Sequence, residues 1–213
     1  MKFGVCVFFI QWKDAVLDLS PMNRLIPTCS RRPFVLAKTI TTSPKAMSMF
    51  HFSPHAQSAA KLLCDLSHSI SVAESSTGGM ISASLLSVPG ASRYFKGGAV
   101  IYTAKSRLAL LDLNRERTRQ LSPLTEEMAL EFAIAARAKL DTTWGIAELG
   151  VAGPGGTPYS DAIGISVIAL SGPIDATVTI KTNSDNREGN MATFTDRALK
   201  LLVDSLRSLK SIS

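Results

Sequence analysis

One short segment combines residue types that could support hydrolytic chemistry. Residues 72–80 read VAESSTGGM and lie between a short apolar run and the run ISASLL. Glu74 and Ser75 stand where a predicted strand passes into a predicted helix. Such a junction would place Ser75 at the carboxyl end of a strand, which is where open α/β sheets bind ligands. Ser75 is therefore a candidate nucleophile.

The residues that follow Ser75 could stabilise negative charge. If a helix begins near Thr77, the N–H groups of Ser76 and Thr77 would be unpaired, and the helix dipole would add partial positive charge. Gly78 and Gly79 would let a ligand approach the backbone closely. Alternatively, Ser76 or Thr77 caps the helix and the glycines only shape a turn. The sequence leaves both interpretations open.

A second glycine-bearing segment, GVAGPGGTPYSD, follows another predicted strand. It lacks the Lys-Ser/Thr ending of a Walker loop and does not match the dinucleotide-binding fingerprint. If the two loops are neighbours, they would form a cradle for a small ligand; otherwise this segment is an ordinary connection between strands. The candidate binding residues of this region are Glu148, Gly150, Ala152, Gly153, Pro154 and Gly155.

The histidines limit the chemistry that this chain could perform. His51, His55 and His68 all lie at or before the first predicted helix of the body or directly after it, and no histidine follows residue 68. A Ser-His-Asp triad is therefore not expected. A transition-metal site is not expected for the same reason.

Without histidine, a lysine or a tyrosine could handle the proton of a serine. Tyr102, Lys105 and Arg107 follow the strand-like run GGAVIYT. A lysine kept neutral by burial, or a tyrosine hydrogen-bonded to one, can accept a proton from serine. The alternative is a solvated basic start of a helix.

Alternating helices and strands must position these residues. The patterns predict a helix over 53–67 that is capped by Ser53, a helix from Ser122 or Thr125 onward, and a long closing helix. Residues 162–170 are almost wholly apolar, as in a strand covered on both faces. The alternation predicts an α/β fold, a three-layer α/β/α sandwich with one mixed sheet covered by helices on both faces.

Composition and charge exclude two classes of partner. The 213 residues are 46% apolar and 19% charged, which fits one globular domain. Of the net charge of +6, residues 1–50 carry +5, from seven basic and two acidic residues, and the rest carries +1. A body so close to neutral offers no footprint for nucleic acid. No apolar run has the length of a membrane-spanning helix, so no membrane partner is expected.

The basic N-terminal extension, residues 1–50, precedes a domain that we place at 53–211. Between Met22 and Met47 it contains no acidic residue, a composition typical of organelle transit peptides. Alternatives are a disordered extension, a short secretory signal, or a true start at Met22 or Met47. The expected location is mitochondrial or another organelle if the extension is a transit peptide, and cytoplasmic otherwise.

Five segments in this order, AESSTGG, VPGAS, GGAVIYT, AGPGG and DNREGNM, resemble the motifs of one family. Together they are similar to the CinA C-terminal domain family of competence-damage-inducible proteins, known as nicotinamide mononucleotide deamidases. The resemblance covers residues 55–210. It implies an α/β/α sandwich, often oligomeric, that hydrolyses the carboxamide of nicotinamide mononucleotide to nicotinic acid mononucleotide and ammonia.

The resemblance also implies roles for individual residues. Ser75 corresponds to the nucleophile, Tyr102 to a tyrosine that assists it, and Arg187 to an arginine on the phosphate side of the substrate. Glu74 or Glu148 would help Tyr102 to handle protons. We expect a small-molecule nucleotide substrate and a homo-oligomer, and no cofactor, metal or nucleic-acid partner.

Several departures from the family pattern bear on activity. The family usually carries lysine five residues after the tyrosine, where this chain has Arg107, and Lys105 is shifted by two positions on a helix. Arginine stays protonated and is a poor base. Met191 replaces a second arginine. These departures resemble a divergent branch, and they keep open a catalytically impaired nucleotide-binding or interaction module, or a hydrolase of a related amide.

Overall fold

The computed structural model describes residues 52–113, 115–156 and 162–212. The chain divides into two compact units, Met1–Ala46 and Met47–Ser213. The predicted extension over 1–50 lies outside the described residues. All the elements below belong to the second unit.

The described residues form helices and strands in an order close to the predicted alternation. The helices are α1 (His55–Asp65), α2 (Met80–Leu86), α3 (Ala104–Leu110), α4 (Arg115–Gln120), α5 (Glu126–Lys139) and α6 (Arg187–Ile212), with a 3₁₀ turn at Ala91–Arg93. The strands are β1 (Ile70–Glu74), β2 (Phe95–Val100), β3 (Trp144–Val151), β4 (Ile165–Ser171) and β5 (Ala176–Lys181).

One mixed sheet carries these strands in the order β2-β1-β3-β4-β5. β1 pairs in parallel with both β2 and β3, whereas β4 pairs antiparallel with β3 and β5. β4 is buried along almost its whole length and β5 lies at the edge, as their sequence patterns predict. In the parallel pair of β1 and β3, Glu74 stands directly opposite Glu148.

Helices cover both faces of the sheet and complete three layers. Val72 and Ile146 pack in a cluster with α1, α2 and α6, while Ala73 and Ala147 pack in a second cluster with α5. This alternation follows from strand geometry, since successive side chains point to opposite faces. The predicted α/β/α sandwich is confirmed.

Local capping residues set where the helices begin. The Ser53 hydroxyl accepts a hydrogen bond from the His55 N–H at 3.2 Å, so Ser53 caps α1 from two residues before its first residue. Thr125 caps α5, since its hydroxyl accepts from the Met128 N–H at 3.3 Å. Within the described ranges, no helix combines the length and the apolar character needed to cross a lipid bilayer.

Candidate functional site

A cleft of about 370 Å³ opens beside the carboxyl ends of β1 and β3. It joins the two glycine-bearing loops that the sequence predicts as halves of a cradle. Its walls are formed by Ser75, Ser76, Tyr102, Ala104, Arg107, Gly150, Val151, Ala152, Gly153, Gly155, Gly156 and Arg187.

Ser75 is the first residue after β1. Its backbone N–H donates to the carbonyl oxygen of Glu148 at 3.0 Å, which extends the pairing of β1 with β3 by one residue. The residue is only 4% exposed, and that exposure faces the cleft. Within the described ranges, no group hydrogen-bonds the Ser75 hydroxyl. The hydroxyl is therefore available to a bound ligand.

The turn after Ser75 differs from the expected early helix. Residues 76–79 form turns, and α2 begins only at Met80. Gly78 and Gly79 have φ of +63° and +100°, a region that side-chain-bearing residues rarely adopt. The prediction of a helix starting near Thr77 is wrong, because this left-handed backbone cannot continue a right-handed helix. The dipole of α2 therefore does not act directly on Ser75.

Glu74 fills the role of a cap for α2. The residue is fully buried, and its carboxylate accepts hydrogen bonds from the N–H groups of Gly79, Ile81 and Ser82 at 3.1, 3.0 and 2.9 Å. It also accepts from the hydroxyls of Thr77 and Ser82. These donors occupy the carboxylate, and Glu74 is not on the cleft wall. Its predicted part in proton transfer stays a prediction.

The carboxylate of Glu148 is also engaged in hydrogen bonds with other protein groups. Its carboxylate accepts from the N–H groups of Ser75 and Thr77 at 3.1 and 3.0 Å, and from the hydroxyls of Ser76 and Ser166. Glu148 is not among the wall residues of the cleft, and its contact with substrate stays a prediction. The Thr77 N–H is also unavailable to an oxyanion, whereas no described group accepts from the Ser76 N–H.

Gly150 allows this network to form. A Cβ atom at position 150 would lie 2.5 Å from the Ser76 Oγ and 2.6 Å from Glu148 Oε1. The β3 backbone therefore runs closer to these two side chains than any residue other than glycine permits. Gly150 keeps its predicted place at the ligand cradle and also leaves room for the Ser76–Glu148 contact.

Tyr102 and Arg107 reach the cleft from the opposite side. Tyr102 is 56% exposed and lines the cleft. Arg107 Nε donates to the Ile101 carbonyl at 3.2 Å, and its guanidinium carbon lies 5.6 Å from the centre of the Phe132 ring. Lys105 is exposed and outside the cleft wall, because two residues of helical rotation direct it away. Its predicted catalytic role stays a prediction.

Arg187 and the Gly-Pro segment close the remaining side. Arg187 Nη1 donates to the Gly153 carbonyl at 2.8 Å, and Asn190 Nδ2 donates to the Ala152 carbonyl at 2.9 Å. The first turn of α6 therefore holds the segment in place. Pro154 is exposed and is not among the wall residues of the cleft, and its contact with a ligand stays a prediction.

Three further residues that were predicted to contact a ligand are not on the cleft wall. Thr77 is fully buried between the two glutamates, since its Oγ1 lies 2.8 Å from Glu74 Oε2 and 3.1 Å from Glu148 Oε2. Gly78 faces α6, where an added Cβ would lie 3.2 Å from the Met191 Cε. Gly79, which lies outside the wall as well, shapes the backbone ahead of α2.

The described walls carry positive charge from Arg107 and Arg187 and contain no acidic side chain. Such a lining concentrates anionic ligands. In the described part of the chain, no group of three His, Cys, Asp or Glu side chains is arranged to hold a metal ion. The site therefore suits a ligand with a negatively charged group.

Sequence reasoning missed three wall residues and one supporting residue. Ala104, Val151 and Gly156 line the cleft through their position alone, and Asn190 supports the Gly-Pro segment. Small apolar residues carry no chemical signal in a sequence. The DNREGNM motif, which contains Asn190, was the one available indication of a polar support.

The motifs that build this cleft occur within a single family match. The sequence model of the CinA C-terminal domain matches residues 52–206, which include every element from β1 to most of α6. The chain belongs to the CinA C-terminal domain family. Its cleft is therefore formed by the segments that carry the resemblance.

Individual CinA relatives match over part of the chain. A CinA-like protein of Nostoc sp. is 34% identical over 139 residues, or 65% of this chain and 33% of the relative. A CinA-like protein of Gloeobacter violaceus is 38% identical over 118 residues, or 55% of this chain and 28% of the relative. The matched parts thus span about a third or less of these curated relatives.

Solved structures of CinA superfamily proteins share the fold. A competence-damaged protein (CinA) superfamily protein from Klebsiella pneumoniae has a TM-score of 0.68 at 20% identity, covering 75% of this chain and 99% of the other. The competence/damage-inducible protein CihA from Agrobacterium tumefaciens has a TM-score of 0.63 at 24% identity, with coverage of 75% and 99%. The sandwich and its mixed sheet are therefore the fold of this superfamily.

Proposed function

We propose that this chain hydrolyses a carboxamide, that of nicotinamide mononucleotide or a closely related amide, through Ser75. The observation that carries the proposal is the composition of the cleft. Ser75, whose hydroxyl has no hydrogen-bond partner among the described residues, lines one cleft of about 370 Å³ together with Tyr102 and two arginines. This volume lies in the range of small-ligand sites.

The reaction would proceed in two steps, acylation of Ser75 and hydrolysis of the resulting ester. The Ser75 Oγ attacks the carboxamide carbon while its proton passes to the Tyr102 oxygen, and the Tyr102 proton passes to the departing nitrogen. Ammonia leaves, and an ester links the acyl group to Ser75. Water then attacks the ester, the acid leaves, and Ser75 regains its proton.

The two arginines would select the substrate by charge. Arg107 stays protonated and is held by Ile101 and Phe132, so it supplies positive charge rather than a base. Arg187 donates one N–H to the Gly153 carbonyl, and its guanidinium has further N–H donors for a phosphate. These contacts support an amide substrate that carries a phosphate.

A second candidate function is binding of an anionic nucleotide without turnover. Arg107 favours this second function, because it occupies the position where the family usually carries a lysine. A lysine could accept a proton, whereas arginine stays protonated. The two candidates differ in a single product, ammonia. Both predict that the ligand raises the melting temperature of the protein.

The test is to incubate the full chain with nicotinamide mononucleotide and to measure ammonia together with the melting temperature. Nicotinamide riboside, which lacks the phosphate, serves as the matched control. We expect ammonia from both amides, with a KM for the riboside higher by about 10- to 100-fold, the value of one charged contact. Stabilisation without ammonia from either amide would favour the binding module.

A further inference from the structure

Two buried carboxylates lie side by side beneath the cleft. Glu74 and Glu148 are direct partners on neighbouring parallel strands, and both are fully buried. They alternate with Ala73 and Ala147, which pack toward α5, so both carboxylates point toward the opposite layer. A buried carboxylate requires hydrogen-bond donors, and here backbone amides and hydroxyls supply them.

The two carboxylates accept hydrogen bonds from different parts of the turn that follows β1. Glu74 holds the later part, through the N–H groups of Gly79, Ile81 and Ser82. Glu148 holds the earlier part, residues 75–77. The Thr77 hydroxyl lies between them, 2.8 Å from Glu74 and 3.1 Å from Glu148.

The early part contains the reactive groups of the proposed function. Glu148 Oε2 receives the N–H groups of Ser75 and Thr77, and Glu148 Oε1 receives the Ser76 hydroxyl. Three successive residues are thus fixed by one side chain. Of their three N–H groups, only that of Ser76 has no acceptor within the described ranges, and Ser76 lies on the cleft wall.

We propose that Glu148 is a positioning residue that sets the orientation of Ser75 and leaves the Ser76 N–H as the amide of this turn that receives developing negative charge. This inference rests on the proposed function. Donors fixed before the reaction stabilise a transition state without reorganising, so a carboxylate can aid catalysis without touching substrate. Its action is transmitted through Ser75 and Ser76.

The kinetic test compares Glu148→Gln and Glu148→Leu with Ser166→Ala in the full chain. Glutamine keeps one acceptor oxygen for the two amides, and its NH₂ group can donate to the hydroxyls of Ser76 and Ser166. We expect kcat for ammonia release to fall about 100-fold or more in Glu148→Leu and about 10-fold in Glu148→Gln, with KM within about threefold.

Ser166→Ala removes a donor to the same carboxylate without touching the turn, so its kcat should stay within about threefold of wild type. The pH profile of Glu148→Gln should keep its wild-type shape, because a positioning carboxylate transfers no proton. Loss of one limb of the profile, or a rise in KM at unchanged kcat, would overturn the inference.

Amide hydrogen exchange provides a readout that needs no activity. In the wild-type chain, we expect the Ser76 N–H to exchange at least about tenfold faster than those of Ser75 and Thr77. In Glu148→Leu, Thr77 should join Ser76, whereas Ser75 stays protected by the backbone carbonyl of residue 148.

These readouts separate the two proposals. The expected exchange pattern in a chain that releases no ammonia would overturn only the proposed function. Equal exchange of Ser76 and Thr77 in wild type would overturn the positioning inference, even in an active enzyme. If Glu148→Leu does not fold, the wild-type pattern and the Glu148→Gln kinetics still decide the matter.

Discussion

Gly150 connects the floor of the cleft with the network beneath it. Because a Cβ there would lie 2.5 Å from the Ser76 Oγ, the glycine is what allows Ser76 to reach Glu148. Gly155 lines the same cleft, yet an added Cβ at that position meets nothing within 4 Å. The two glycines therefore form a matched pair for testing the network.

We expect Gly150→Ala to lower the free energy of unfolding by about 1–3 kcal/mol, the usual cost of overpacking a close-packed site. Ammonia release should fall more steeply, because displacing Ser76 also moves Ser75. Gly155→Ala should leave both quantities near their wild-type values. Urea denaturation and the ammonia assay measure the two effects; similar behaviour of both variants would contradict this role of Gly150.

At this scale, residue chemistry predicted part of the site. Ser75, Tyr102 and Arg107 were candidates from their residue types and positions, and Arg187 came from the family resemblance; all four line the cleft. The hydrogen bonds that occupy both glutamates were not foreseen. The number of donors around a carboxylate depends on neighbouring strands and turns, which residue types alone do not reveal.

Among the elements, the connection between α1 and β1 is joined to the start of β3 by a hydrogen bond to a histidine. Trp144 Nε1 donates to His68 Nδ1 at 3.1 Å. Desolvation by burial lowers the pKa of the His68 imidazole from its ordinary value of 6.5. A proton on Nδ1 would remove the acceptor that this bond requires.

Stability should therefore fall with acidification through this contact. Since the folded pKa is the lower one, the unfolded chain binds the proton first as the pH falls below about 6.5. The contribution is complete above that pH and is lost as the pH falls toward the folded pKa. We expect urea denaturation at pH 8 and pH 5.5 to show a smaller difference in His68→Asn than in wild type. An unchanged difference in His68→Asn would contradict the assignment.

The buried face of α5 shows why element-level prediction was incomplete. Large apolar residues usually mark the buried face of a helix, but the buried apolar positions of α5 are Ala129, Phe132, Ala133 and Ala136. The helix lies directly on β3, where a Cβ at Gly145 would be 2.0 Å from the Ala133 carbonyl. Close approach through small residues sets the face, and a pattern based on large side chains misses it. The polar helix α4 was missed because it has no apolar stripe.

For the whole molecule, the sequence predicted the layers but not the order of strands. Alternating helices and strands imply a sandwich, and the order of the motifs identified the family. The strand order β2-β1-β3-β4-β5, in which β4 pairs antiparallel with both β3 and β5, depends on contacts between distant segments. It is this order that brings the end of β1 beside the end of β3 and so assembles the cleft.

The body should fold and act without the basic extension. Residues 47–213 contain both hydrophobic clusters of the described chain, and removing residues 1–46 takes away five of the six net positive charges. We expect the truncated chain to melt within about 2 °C of the full chain, because core burial dominates stability. The ammonia assay and a thermal scan test this. A melting temperature lower by about 5 °C or more, which corresponds to a loss of about 1–2 kcal/mol in the free energy of unfolding, would show that the extension contributes to the fold.

The most direct test of the account is ammonia release from nicotinamide mononucleotide by the full chain and by Ser75→Ala. Because no described group hydrogen-bonds the Ser75 hydroxyl, the variant should keep the wild-type melting temperature. Its kcat should fall by at least about 1,000-fold, as expected when a nucleophile is removed. Turnover by Ser75→Ala equal to that of the wild-type chain would contradict the account.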